Sequence, residues 1–315
     1  MVTDDFAPDV NWHVPGKVLS VEQKQFYREN GYIVIRNCVS NSELEVYKKR
    51  FQAICDGAQV DRGLSIVRDI TLAHKGVKNE ERNVSKIQDF QDDPILFDYC
   101  KNPHIVDIVK DLIGSPGSNL VSMHTMLINK PPDTGALTSR HPMHQDLHYF
   151  PFRPADYVCC AWTAMEKVDR SNGCLVVVPG THRGKLIPHE YPKWEGGVNK
   201  AYLGIVDYDA SMPRTYCEME AGDTVFFHPV LVHGSGANRT TGFRKAISCH
   251  YANDDLCHYV DVSGSSQQTA IDEVRDMARV RIKKMGADPS YVDEMDYTVF
   301  WQVRARAVNG TKSHL

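Results

Sequence analysis

The chain has 315 residues, 42% apolar and 24% charged, enough apolar mass for a sizeable globular core. A formal net charge of −4 leaves no general basic surface for nucleic acid. Nine scattered cysteines without a CxxC pair argue against structural zinc, and their odd number without a secretory leader fits a reducing interior. No apolar run approaches the ~20 residues of a membrane span, so a soluble intracellular protein is expected.

In chain order, SVEQKQFYREN (20–30) reads as a helix capped by Ser20 with Gln23 closing a capping box and Gly31 ending it. GYIVIRN (31–37) reads as a strand, and Asn41 or Ser42 opens a helix with Leu44, Tyr47, Phe51 and Ile54 on one face. Residues 91–114 supply short helices interrupted at Pro103. From about 119 the pattern changes to short β-type runs: NLVSMHTMLIN, DYVCCAWTAM, CLVVVPG, DTVFFHP and RKAISCHYA. TAIDEVRDMARVRIKKMGA (269–287) returns to helix. With no repeat or linker, one domain is expected over 1–315. It has a helical part about 15–118, a β core about 119–262 and a helical and strand segment 263–312. The fold class is mainly β, a sandwich or jelly roll with N- and C-terminal helices packed outside.

The stretch RHPMHQDLHYFPF (140–152) holds His141, His144, Asp146 and His148. On an extended strand, positions i and i+2 share a face ~7 Å apart, so His144 and Asp146 can converge on one point. H-x-D alone is weak, and a metal needs a ligand from elsewhere. GDTVFFHPVLVHGSG offers His228, which precedes Pro229, and His233, which follows an apolar run where an unpaired imidazole is costly. His233 is favoured, and the glycines after it let the backbone come close to a ligand. Two histidines and a carboxylate form the facial set of non-haem Fe(II) oxygenases. Arg244, eleven residues later, could hold a carboxylate through paired hydrogen bonds, as a 2-oxoglutarate anchor must.

These segments, together with MHTMLINKPPD, NGCLVVVPGTH, YPKWEGGVNK and GFRKAISCHYA, resemble the phytanoyl-CoA dioxygenase family over roughly residues 15–312. The resemblance implies a double-stranded β-helix (cupin-like) oxygenase using Fe(II), 2-oxoglutarate and O2, with ascorbate as reductant. Its reaction would be 2-hydroxylation of a branched, phytanoyl-type acyl-CoA in fatty-acid α-oxidation, with 2-oxoglutarate decarboxylated to succinate and CO2. It carries the iron-ligand role to His144, Asp146 and His233, and the co-substrate anchor to Arg244. Ser235, Trp162, Met126 and Lys86 match positions around that co-substrate, and Gln145, between two ligands, is placed in the pocket. Taken alone, Met126 and Trp162 read as core and Lys86 as a solvated charge. His141 and His148 stay ambiguous, with second-shell or substrate contact favoured for His148. Arg153, Arg183, Lys185, Lys193 and Lys200 are candidates for the CoA phosphates.

Two other readings stand beside this one: a hydroxylase of another small molecule on the same scaffold, and a catalytically silent cupin-like binding protein. The second should lack a ligand or the anchor arginine, and this chain lacks neither. The final Ser313-His314-Leu315 differs by one residue from the Ser-Lys-Leu address, so a peroxisomal import receptor and a peroxisomal matrix location are expected.

Overall fold

The computed structural model describes residues 6–68, 81–115, 117–133, 135, 137, 139–195, 199, 202–284 and 286–315. Ser20 caps α1 (Val21–Asn30), Gln23 returns the bond, and Gly31 ends the helix at φ 78°. α2 (Asn41–Cys55) is capped by Ser40 rather than Asn41 or Ser42, because Glu43 three residues on completes the box from there. Pro103 opens α3 (Pro103–Ile113) instead of interrupting a helix: at the first position it has no useful N–H to lose, and Asn102 caps it. α4 (Gln268–Lys284) and the short α5 (Val299–Gln302) follow the β region.

The strands are β1 (Tyr32–Ile35), β2 (Ser65–Arg68), β3 (Val84–Gln88), β4 (Leu120–Lys130), β5 (His141–His144) and β6 (Phe152–Arg153). Next come β7 (Val158–Ala164), β8 (Leu175–Val177), β9 (His189–Glu190), β10 (Gly204–Ile205) and β11 (Thr215–Cys217). The last are β12 (Thr224–Phe227), β13 (His233–Ser235), β14 (Arg244–Asn253), β15 (His258–Tyr259) and β16 (Arg306–Asn309). Among the described residues a major sheet runs β1-β12-β7-β14-β4-β3-β2, with β16 also on β4, and a minor sheet runs β11-β8-β13-β5. The sheets face each other: the Phe227 ring of β12 lies 4.6 Å from the His233 ring of β13. This is the expected jelly-roll core. β2 and β3 fall in the part expected to be helical. They are short and partly polar, and their pairing with each other and of β3 with β4 specifies them more than local propensity does.

Strand alternation divides the core in two. On β7, Cys160, Trp162 and Ala164 face the space between the sheets, while Cys159 and Ala161 face the helices. β12 splits likewise, with Val225 and Phe227 inward and Phe226 outward. α3 lies across β7 and β14 on the outer side. The inter-sheet space can therefore be lined by functional side chains without disturbing the larger outer core. All nine cysteines are buried and unpaired.

Five buried histidines lie outside the candidate ligand set: His148, His182, His189, His228 and His250. Burial pushes His148 and His182 down to about 4 and His189 down to about 3, with a neighbouring imidazole adding to each. The unfolded chain binds protons at these groups below about pH 6.5, while the native chain refuses them until about pH 4. The stability they contribute is thus present above pH 6.5 and falls as pH drops toward 4, by at most about 4 kcal/mol per pH unit for the three. Denaturant melts between pH 7 and 4.5 should show this decline with proton uptake on unfolding, and a flat profile would contradict it.

Candidate active site

β5 ends at His144, and Asp146 opens a single 3-10 turn, Asp146–Tyr149. The H-x-D pair therefore does not converge as two positions of one strand; the chain bends after His144 and brings the carboxylate back. His233 enters from β13, directly opposite His144 in the register. Gly234 makes that approach possible, since a Cβ there would meet Met143 Sδ at 2.8 Å and the His141 carbonyl at 3.0 Å. Its space goes to the neighbouring strand, so the close approach expected of it is to backbone.

His144 Nε2 lies 3.1 Å and His233 Nε2 3.6 Å from Asp146 Oδ1. Ligand atoms of all three fall within 4.8 Å of one another. His144 Nδ1 is 2.9 Å from the Pro142 carbonyl and His233 Nδ1 is 2.9 Å from the Leu231 carbonyl. A carbonyl only accepts, so each Nδ1 carries the proton and each Nε2 presents a lone pair. Three acceptors aimed at one buried point need a positive charge between them. Two donors ~2.1 Å from a metal and at right angles stand ~3 Å apart, so this spacing fits one face of an octahedron.

His250 of β14 donates Nε2–H to the other carboxylate oxygen, Asp146 Oδ2, at 2.7 Å. Burial alone would raise the Asp146 carboxyl; the adjacent His233 and His250, with the hydrogen bond from His250, hold it well below the usual range instead. Burial and the adjacent His144 push His233 down to about 4, which keeps its lone pair available.

Facing this cluster, the inward positions of the major sheet bring two cations together. Arg244 of β14 pairs directly with Lys130 of β4, and both are buried. Like charges opposite each other on a sheet repel. Arg244 donates Nη2 to the Gly173 carbonyl at 2.9 Å, while its Nε and Nη1 are buried without a hydrogen-bond partner. Lys130 Nζ reaches Ser235 Oγ and the Gly236 carbonyl, each at 2.6 Å. Burial holds the Lys130 ammonium well below its usual range, the Arg244 charge lowers it further, and burial pulls Arg244 down to about 10. Two desolvated cations with open donors fit a small anion, and Arg244 has the fork for a carboxylate.

The other predicted positions divide. Trp162 packs with its ring centre 5.3 Å from the Arg244 guanidinium carbon, and Ser235 is the hydroxyl that Lys130 holds. Met126 and Lys86 line the cavity beside the metal face. Lys86 is buried with Nζ 4.7 Å from the Tyr202 ring centre, and burial pushes it down to about 8, against the pull of Asp89. Gln145 is turned away from the pocket. Its amide donates to the Lys185 and Val230 carbonyls and accepts from Ile187 N–H, so it ties two loops together.

His148 is not aligned with the ligands, because the 3-10 turn swings it toward Thr269 and His189. His228 accepts from Val230 N–H and pairs with Asp156, away from the cluster. His141 stacks on His144 at 3.9 Å and on Tyr202 at 4.2 Å. Of the suggested phosphate contacts, Arg153 is spent on Phe150, Phe152 and Gln267, and Arg183 on Glu29. Lys185 and Lys193 do not line the cavity, and Lys200 lies outside the described residues.

Lys130 and His250 were not singled out from the sequence. Their signal is positional: each falls on the inward phase of a strand whose other inward residues include a site candidate. Gly173 also escaped notice. It sits at φ 82°, and a Cβ there would meet the Gly236 carbonyl at 2.4 Å, which would disturb the loop that holds both cations.

Among solved structures, EctD from S. alaskensis with 2-oxoglutarate and 5-hydroxyectoine superposes with a TM-score of 0.61 at 19% identity, covering 80% of this chain and 82% of that one. EvdO2 from Micromonospora carbonacea var. aurantiaca, complexed with 2-oxoglutarate, gives 0.56 at 19% identity over 78% and 94%. These likenesses establish the fold. The "Probable phytanoyl-CoA dioxygenase" of Caenorhabditis elegans is 62% identical, covering 97% of this chain and 98% of that protein. The human "Phytanoyl-CoA dioxygenase, peroxisomal" is 51% identical over 95% of this chain and 85% of its own length. The family model described as phytanoyl-CoA dioxygenase (PhyH) matches residues 27–246. With a family match over more than two thirds of its length and relatives this similar across nearly all of it, the chain belongs to the phytanoyl-CoA dioxygenase family.

Proposed function

We propose that this protein is an iron(II)- and 2-oxoglutarate-dependent dioxygenase that hydroxylates C2 of a branched, phytanoyl-type acyl-CoA in fatty-acid α-oxidation. One observation carries the reading: three buried acceptors converge opposite two buried cations that lack an anion. His144, Asp146 and His233 would hold the iron, and His250 fixes the orientation of the Asp146 carboxylate through its hydrogen bond to Oδ2. Arg244 takes the far carboxylate of 2-oxoglutarate, and Lys130 supplies a second charge beside it. Because Lys130 donates to Ser235 Oγ, the Ser235 proton is free to point at the same carboxylate. Trp162 and Met126 bound the pocket and keep water from it. Iron, when bound, would supply the activation of O2 that couples hydroxylation at C2 to decarboxylation of 2-oxoglutarate to succinate and CO2, with ascorbate as reductant. Residues 1–315 act as one unit, since β2, β3 and β16 from the flanking segments pair within the major sheet.

The protein is peroxisomal, as its rat and human relatives are named, and no helix of the described residues is long and apolar enough to cross a membrane. We place it in the matrix, delivered by a receptor that reads Ser313-His314-Leu315. Asp254 accepts from the backbone of all three residues, and Leu315 is buried. A receptor must draw the tail off this carboxylate.

Three outcomes are expected. Succinate release in the presence of Fe(II) should rise severalfold on adding a 3-methyl-branched acyl-CoA and stop on chelation. Release that ignores the acyl-CoA would remove the substrate assignment. Lys130→Met and Arg244→Ala should each weaken 2-oxoglutarate binding by about tenfold or more, the loss of a charged hydrogen bond, with Arg244→Lys recovering only part. Unchanged 2-oxoglutarate affinity in both would rule out the paired-cation pocket. Finally, a fluorescently tagged chain lacking 313–315 should stay in the cytosol, and continued import would assign delivery to another signal.

A further inference from the structure

A cavity of about 1030 Å³ begins at His144, Asp146 and His250 and runs outward between β2, β3, α4 and α5. That is at the upper end of small-ligand sites, far more room than a metal and a five-carbon diacid need. Its walls change character along its length. The inner end carries imidazoles, while the outer part is walled by Ile66, Val274, Ala278, Phe300, Trp301 and Val303. On α4, positions 274, 278 and 282 follow helical spacing, so this helix turns an apolar stripe to the cavity.

At the opening, Met277, Val280 and Val303 remain 36%, 55% and 60% exposed. Large apolar side chains grouped around an opening mark a site for an apolar ligand. Four lysines and arginines line these walls, and three are already engaged, Lys86 against the Tyr202 ring. Arg281 donates to the Gly63 carbonyl and Ser65 Oγ, and Arg304 pairs with Asp89. Arg62 stands exposed at the rim. The length of the channel is therefore built for hydrocarbon, with one open cation at its rim.

We propose that this cavity holds the acyl chain of the substrate and that Val274, Ala278, Phe300 and Val303 set the chain length and branching accepted. The inference rests on the reaction proposed above. C2 is bonded to the thioester carbon, so at the metal the chain and the CoA portion depart in different directions, and α4 receives the chain.

The test compares 3-methylhexadecanoyl-CoA with 3-methylbutanoyl-CoA, which differ only in length, in succinate-release assays, with free coenzyme A as competitive inhibitor. Ala278→Trp fills the channel. Met277→Asp, at an exposed position that does not threaten folding, puts a charge at its mouth. In each, the ratio of long-chain to short-chain KM should rise by at least about tenfold, since each methylene in an apolar pocket matters that much, while the Ki of coenzyme A stays where it was. A Ki that rises with the long-chain KM would show that the cavity takes the CoA portion and overturn the assignment. A wild-type enzyme active on both esters whose variants leave the ratio unmoved would overturn it too. A wild-type enzyme that releases no succinate with either ester would defeat the reaction itself and the chain site with it.

Discussion

Uncompensated charge is the constraint around which this molecule is organised. On one side of the inter-sheet space, His144, His233 and Asp146 present three acceptors to one point. On the other, Arg244 and Lys130 face each other across adjacent strands, and among the described residues neither forms an ion pair with a carboxylate. Neither arrangement is favourable by itself, because buried charge is costly without a partner. They persist because the outer core between the sheet and α1–α3 supplies the stability, leaving the inner face of the sandwich free to carry groups that complete their bonding with ligands.

The two sheets divide the labour. The minor sheet and its following turn carry the three acceptors, and the long strands β4, β7 and β14 carry Lys130, Trp162, Arg244 and His250 on one face. His250 links the halves through Asp146, so the orientation of the carboxylate depends on the register of a strand in the opposite sheet. A slip of one residue in β14 would turn Arg244 and His250 outward together. The unbroken pairing of β14 with β7 across seven positions holds that register.

Much of this was legible in the chain itself. The β-type runs and their turn residues announced a sandwich, because short apolar runs bounded by turn residues are what strands buried on both faces look like. The choice of His233 over His228 followed from the proline after one and the glycines after the other. What was not legible depends on pairing between distant segments. β3 reads as a polar stretch until β4 lies beside it, and Lys130 reads as a solvated strand end until Arg244 is placed opposite. The 3-10 turn at Asp146 was hidden because His-Gln-Asp has the spacing of a strand. Gln145 looked like a pocket residue by its position between two ligands, yet the bend directs its amide into the surrounding loops.

The buried thiols bear on how such a protein survives its own chemistry. Oxidants attack thiolates, not thiols. Burial lifts eight of the nine cysteines above their ordinary range: Cys38 and Cys174 to about 11, Cys55, Cys159, Cys217 and Cys257 to about 12, and Cys100 and Cys160 well above that range. Cys160 is among these, although its sulfur lies within reach of Asp146 and His250. An oxidant reaching the folded chain thus meets scarcely any sulfur anion at these eight positions, and their corrosion is tied to unfolding.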